Sequence, residues 1–187
     1  MRIRKELKLE NLKKAVDRMA DNSKRIMITG HRTRDFTLDQ IKYAQESLQK
    51  VIKGLLKSNP DAIFVSGGAT GTDTWWSLLA QKFERPLELY LAFPNQDSQW
   101  SNKEKALHRH IKNYASEITY ASDEYSKSAY HIRNDSMLKV ADIVVAVYDS
   151  NKNKSGTHSV VQKARKMGKP LIIIDFINEE IIKEKNG

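Results

Sequence analysis

The chain has 187 residues, 40% hydrophobic and 8% aromatic, which is enough apolar side chain to fill a core and argues against a collagen-like, coiled-coil or largely disordered protein. Its 32 Lys and Arg residues against 23 Asp and Glu give a formal net charge of +9, favouring anionic partners, whether nucleotides, polymers or lipid surfaces. Cysteine is absent, so disulfide frameworks, thiolate metal sites and cysteine nucleophiles are excluded and a cytoplasmic location is expected.

The opening Met1-Arg-Ile-Arg-Lys leads into charged sequence where a secretory signal would need an apolar stretch. No apolar run approaches the roughly 20 residues of a membrane helix, so no membrane partner is expected. Leu7, Leu9, Leu12, Val16 and Met19 fall close to one helical face, with Lys5, Lys13, Lys14 and Arg18 on the others. Residues 1–24 are therefore predicted as an amphipathic helical extension leaning on a single domain over 25–187. Beyond Ser23 two periods alternate. Strands are predicted over Arg25–Thr29, Ala62–Ser66, Leu87–Ala92, Glu117–Tyr120, Ile143–Tyr148 and Pro170–Asp175. Helices are predicted over Leu38–Lys57, Thr72–Phe83, Asn102–Asn113, Ala129–Val140 and Thr157–Met167. Several strands are apolar nearly throughout, as a sheet covered on both faces requires, and the helices are long enough for crossovers. The expected fold is α/β, a Rossmann-like three-layer arrangement of a mostly parallel sheet with helices on both faces.

The unusual residues follow the strands. Gly30-His31-Arg32 comes after the first, Gly67 through Asp73 after the second, Pro94-Asn95-Gln96 after the third and Asp149 through Thr157 after the fifth. In an open parallel sheet these loops share one edge, where ligands bind at the point the strand order reverses. Ser66-Gly67-Gly68-Ala69-Thr70-Gly71-Thr72-Asp73 suits a phosphate, because glycine lets the backbone come close and the following helix offers unpaired N–H groups. It is neither the P-loop nor the dinucleotide fingerprint, and the alternative is a tight strand-to-helix turn. Asp73 either caps the helix or accepts from a ribose or base. Trp75 and Trp76 point about 100° apart, so one is expected in the core and the other at the cleft edge.

His31 and Arg32 put a cation at the ligand edge, with Arg34 a further candidate; the alternatives are a satisfied loop histidine and an inter-loop salt bridge. Arg133-Asn134 lies in the helix before the fifth strand, where an arginine either reaches the cleft or sits at the surface. Ser155-Gly156-Thr157, preceded by Lys152 and Lys154, is a second small-residue helix entrance suited to phosphate or carboxylate. Trp100 either stacks on a base or packs beneath its long loop. His108, His110 and His131 lack metal-ligand spacing, and no metal or cofactor is expected.

Ile28-Thr-Gly-His-Arg32, Ser66 through Trp76, Phe93-Pro94, Trp100, Arg133-Asn134 with Met137, Ala141 through Asp149 and Gly156-Thr157 together resemble the YpsA-like branch of the SLOG superfamily, in order from about Arg25 to Asp175. The resemblance implies a Rossmann-like nucleotide binder, with Lonely Guy phosphoribohydrolases, DNA-processing protein A and sensor domains of bacterial defence systems among its relatives. It also implies a homodimer, ligand-holding loops at Gly67–Asp73 and Gly156-Thr157, and a substrate-side arginine at Arg133. The phosphoribohydrolases carry an acid within three residues of their Gly-Thr, whereas here His158, Ser159, Val160 and Val161 follow. A carboxylate is the usual group for stabilising oxocarbenium character and activating water.

The expected function is binding of a small phosphorylated ligand, a nucleotide or ADP-ribose-type derivative, by a sensor, carrier or sequestering module. Glycine-loop N–H groups would hold phosphates, with His31, Arg32 and Arg133 supplying charge and Thr72, Asp73 and Thr157 contacting phosphate or ribose. Arg133→Ala is then expected to weaken binding without unfolding the chain. The alternatives are a nucleoside 5′-monophosphate N-glycosidase, with Asp73, Arg133 and Asp149 as catalytic candidates and Asp135 a further nearby acid, and single-stranded DNA binding.

Overall fold

The computed structural model describes residues 22–185; the amphipathic helix expected around Leu7 to Met19 lies outside them. Apolar runs become central strands because each must be covered on two sides. In β1 (Arg25–Gly30), Ile26 and Ile28 face one core and Met27 the other. β5 (Ile143–Tyr148) divides likewise, Val145 and Val147 on one side, Val144, Ala146 and Tyr148 on the other. The remaining strands are β2 (Ile63–Ser66), β3 (Leu87–Leu91), β4 (Glu117–Tyr120), β6 (Leu171–Asp175) and β7 (Glu180–Glu184). They form a seven-stranded sheet in the order β4-β3-β2-β1-β5-β6-β7.

The helices start where polar side chains take over orphan backbone donors. Thr37 and Gln40 form a capping box for α1 (Leu38–Ser58), and Ser101 and Glu104 do so for α3 (Asn102–Tyr114). Ser126 caps α4 (Lys127–Val140) through Ala129 N–H, and Ser155 caps α5 (Gly156–Lys166) through His158 N–H. α2 (Thr72–Lys82) follows Gly71 with no side-chain cap. Ala44, Leu48 and Ile52 of α1, Trp76 and Ala80 of α2 and Ile111 of α3 fill the core on one face of the sheet. Met137 and Leu138 of α4, with Val160, Val161 and Ala164 of α5, fill the other. This is the expected α/β three-layer arrangement, with parallel pairing from β4 through β6.

The sheet gains one strand over the six predicted. β7 runs antiparallel to β6 and pairs Leu171 with Glu184 through Asp175 with Glu180. Its Ile181 and Ile182 remain 38% and 39% exposed, and Arg165 of α5 holds it with an ion pair to Glu184 at 2.7 Å. An edge strand needs no buried face on both sides, so the apolar signature of the central strands is missing from it. Among the described residues no helix is long and apolar enough to cross a membrane.

The strand order reverses between β1 and β5, paired in register from Ile26 with Ile143 to Gly30 with Val147. The loops leaving these two strands therefore part at the carboxyl edge and open a crevice.

Candidate functional site

The crevice is a cleft of about 370 Å3. Its wall carries Gly30, His31 and Arg32 from the β1 loop, Asp73 from α2, Arg133 and Asn134 from α4, and Ser155, Gly156 and Thr157 from the start of α5. Residues spread over 128 positions of sequence are thus brought together by one topological feature. Arg32 also lines a second, larger chamber, where Thr70 and Trp100 lie.

Arg133 is buried among polar groups with only part of its hydrogen-bonding capacity used. Its Nη1 donates to the Gly67 carbonyl at 2.5 Å and lies 3.9 Å from Asp73 Oδ2, while its Nε has no partner. Tyr130, one helical turn earlier, lays its ring 5.9 Å from the guanidinium carbon. Burial lowers the Arg133 pKa and raises that of Asp73, and the attraction between the two opposes both shifts. The Asp73 carboxylate also accepts from Ala69 N–H at 3.1 Å.

The start of α5 is open. Ser155 Oγ accepts from His158 N–H at 3.0 Å, leaving the N–H groups of Gly156 and Thr157 without intrahelical partners by their position in the first turn. A Cβ built on Gly156 meets nothing within 4 Å. Backbone donors, the positive end of the helix dipole and Arg133 thus face one cleft, an arrangement suited to an anion.

The β2 glycine loop is occupied by the protein itself. Thr72 hydroxyl and N–H both donate to the His31 carbonyl, at 3.0 and 3.3 Å. Gly71 packs against the backbone of His31 to Thr33, and a Cβ on Gly30 would overlap Thr72. Gly67 leaves room for Arg133, since a Cβ there would lie 1.9 Å from Nη1. Buried Gln96 donates to the carbonyls of Gly67 and Gly68 and accepts from Ala92 N–H. Gly67, Gly68, Gly71 and Thr72 accordingly brace the loop behind the cleft instead of lining it.

The surroundings of His31 favour its neutral form. Its Nε2 accepts from Asp149 N–H at 3.3 Å, which places the ring proton on Nδ1, and Phe176 meets it edge-on at 5.7 Å. Burial, then Lys152, pushes its pKa below the ordinary 6.5. Asp149 turns its carboxylate to Asn151 N–H at 3.0 Å, and Asp135 is exposed and paired with Lys163. Trp76 stacks on Phe64 in the core, whereas Trp75 packs against Phe36. Two contributors lacked a predicted role. Tyr130, three residues before Arg133, had helical spacing as its signal; Gln96 had no periodic one.

His108 is also held below 6.5 by burial, with Asp97 opposing and Lys112 reinforcing that shift, and its Nε2 has no partner under Trp100. A lowered folded-state pKa gives stability that is complete above 6.5 and lost as pH falls, because the unfolded chain takes up the proton first. The stability advantage of the native chain over His108→Gln is expected to shrink between pH 7.5 and 5.5 by up to about 1.4 kcal/mol per pH unit. Urea unfolding at the two pH values measures it, and a pH-independent difference would refute the assignment.

Residues 26–179 match the YspA SLOG family. The SPbeta prophage-derived protein YoqJ of Bacillus subtilis (strain 168) is 29% identical over 139 residues, covering 65% of this chain and 80% of YoqJ. DNA processing protein A from Streptococcus pneumoniae superposes with a TM-score of 0.59 at 18% identity, over 81% of this chain and 50% of that one, so the chain spans half the length of that relative. DNA processing protein A from Helicobacter pylori gives 0.59 at 22% identity, over 83% and 70%. The molybdenum cofactor carrier protein of Chlamydomonas reinhardtii gives 0.51 at 18%, over 81% and 76%. These structural likenesses are of fold alone. The family match runs from β1 past the glycine loop, Arg133 and the Gly156 turn to the turn after β6, and the chain belongs to the YspA SLOG family.

Proposed function

We propose that the cleft between β1 and β5 binds a small phosphorylated ligand of nucleotide type, and that the protein acts as a sensor, carrier or sequestering module. The supporting observation is the pairing of Arg133, buried with an unpartnered Nε, with the open amino end of α5 on the same wall. Phosphate oxygens would take the Gly156 and Thr157 N–H groups, and Arg133 and exposed Arg32 would balance their charge. Asp73 and Asn134 would meet ribose hydroxyls. At the position where the resemblance to phosphoribohydrolases would call for an acid, Val160 is 1% exposed and packs in the core with Met27 and Val144, which supports binding over N-glycosidic cleavage.

Native mass spectrometry of gently purified protein tests this, with identification of any mass released on denaturation. A retained nucleotide-like molecule is the expected result. Titration with adenosine 5′-phosphate, ADP-ribose and a single-stranded oligonucleotide follows. Binding confined to the oligonucleotide, and falling steeply with salt, would overturn the reading in favour of a DNA-binding protein.

Gly156→Ala separates site from scaffold. Its Cβ enters open space and the glycine φ lies outside the left-handed region, so stability should stay within about 0.5 kcal/mol. The methyl group stands where the phosphate must approach, so affinity for adenosine 5′-phosphate is expected to fall about tenfold or more. Unchanged affinity by calorimetry would remove the α5 entrance from the proposal.

A further inference from the structure

The second chamber, about 790 Å3, adjoins the cleft and shares Arg32, Arg34 and Tyr130 with it. It is walled by the loops after β1, β2, β3 and β4, away from β5. Four aromatic residues, Phe93, Trp100, Tyr125 and Tyr130, stand among polar ones on its wall. Tyr125 and Tyr130 each meet Phe93 edge-on, at 5.4 and 5.7 Å, and Trp100 stands on the same wall. Tyr125 is 65% exposed, so this aromatic side chain is accessible to a ligand in the chamber.

The chamber also carries carboxylates. Asp123 and Glu124 are exposed on its wall and make no ion pair among the described residues, whereas the nearby Glu104 is committed to Ser101 N–H and Oγ at 3.0 and 2.7 Å. Aromatic faces accept any flat heterocycle. Acceptor-only carboxylates choose among heterocycles by favouring one that presents N–H donors, as an exocyclic amine does. Arg32 and Arg34, on the wall common to both spaces, place positive charge where a phosphate-bearing linker would pass.

We infer that this outer chamber is a nucleobase pocket for an amine-bearing base, of the adenine, guanine or cytosine kind, belonging to a ligand whose phosphate end lies in the inner cleft. The inference rests on the phosphate-binding reading of that cleft. The base stacks against Tyr125 and Trp100 and donates its amine to Asp123 or Glu124.

Calorimetric titration of the full chain with adenosine 5′-phosphate, purine riboside 5′-phosphate, whose base carries neither an exocyclic amine nor a ring N–H, and ribose 5-phosphate tests it. Adenosine 5′-phosphate should bind more tightly than the other two. Tyr125→Ala should weaken it about tenfold while leaving ribose 5-phosphate unchanged, and Tyr125→Phe should restore it. The paired change Asp123→Asn with Glu124→Gln should erase the preference for adenosine over purine riboside. If Tyr125→Ala moves adenosine 5′-phosphate and ribose 5-phosphate equally, or moves neither, the base lies elsewhere and the inference fails while the phosphate reading stands. If the unaltered protein binds none of the three and no ADP-ribose, the phosphate reading fails and takes the inference with it.

Discussion

Arg133→Ala is expected to lower stability by about 3 kcal/mol and to weaken a phosphorylated ligand at least tenfold, so the two losses must be separated. The sequence alone suggested loss of affinity without loss of fold. The structure changes that, because the guanidinium fills the space left by Gly67, donates to its carbonyl at 2.5 Å and faces the buried Asp73 carboxylate at 3.9 Å. Removing one partner of a buried ion pair costs about 3–5 kcal/mol, since the other charge remains in a poorly hydrated place. Asp73 has an escape through protonation, its pKa being raised already by burial, which puts the expected loss near the lower end. A carboxyl group whose folded-state pKa is raised gives stability that is complete below its ordinary 3.8 and lost as pH rises through the folded value. The deficit of Arg133→Ala should therefore be larger at pH 8 than at pH 5 in urea unfolding. Adding Asp73→Asn removes the stranded charge and should recover part of the stability without recovering affinity. If the double variant regains both, Arg133 acts through the fold and does not contact ligand.

That pair also shows where sequence reading runs out. Gly67 and Arg133 are 66 positions apart, and nothing local to either states that the glycine makes room for a guanidinium. The loop from Ser66 to Asp73 was legible as one needing close backbone approach, and glycine meets that need whether the approaching group is a phosphate or another part of the chain. The fold decides: Gly71 and Thr72 receive the β1 loop, and the open helix entrance is the less glycine-rich one at Gly156. The position of His31 was legible too, but its charge was not, because Phe176 and the Asp149 N–H reach it from sequence-distant loops. Central strands such as β1 and β5 announced themselves because both faces are covered by helices. β7 did not, since Glu180-Ile-Ile-Lys-Glu184 borrows its order from β6 and Arg165.

Gly71→Ala is the other large expected effect, and it differs in kind from Gly156→Ala although both glycines precede or open a helix. Gly71 has φ 82° and ψ −122°, a region essentially closed to residues with a Cβ, at a strain of about 1–3 kcal/mol. The added carbon would also lie 2.5 Å from Thr33 N and 2.8 Å from both Arg32 C and His31 O. These are backbone atoms that cannot swing aside as a side chain does, and relieving such overpacking costs about 1–3 kcal/mol more. Thermal unfolding followed by circular dichroism should then move down by roughly 10 °C, at about 2–4 °C per kcal/mol for a chain of this size. Asparagine, which tolerates the left-handed helical region, should not rescue the position, because that region requires ψ near +45°. Below the melting temperature the β1 loop must still shift, carrying Arg32 with it, so ligand affinity should fall in the folded variant as well. A variant that melts like the native chain and binds adenosine 5′-phosphate as tightly would mean that the β1 loop and the β2 loop are not in the contact on which the geometry of the cleft depends.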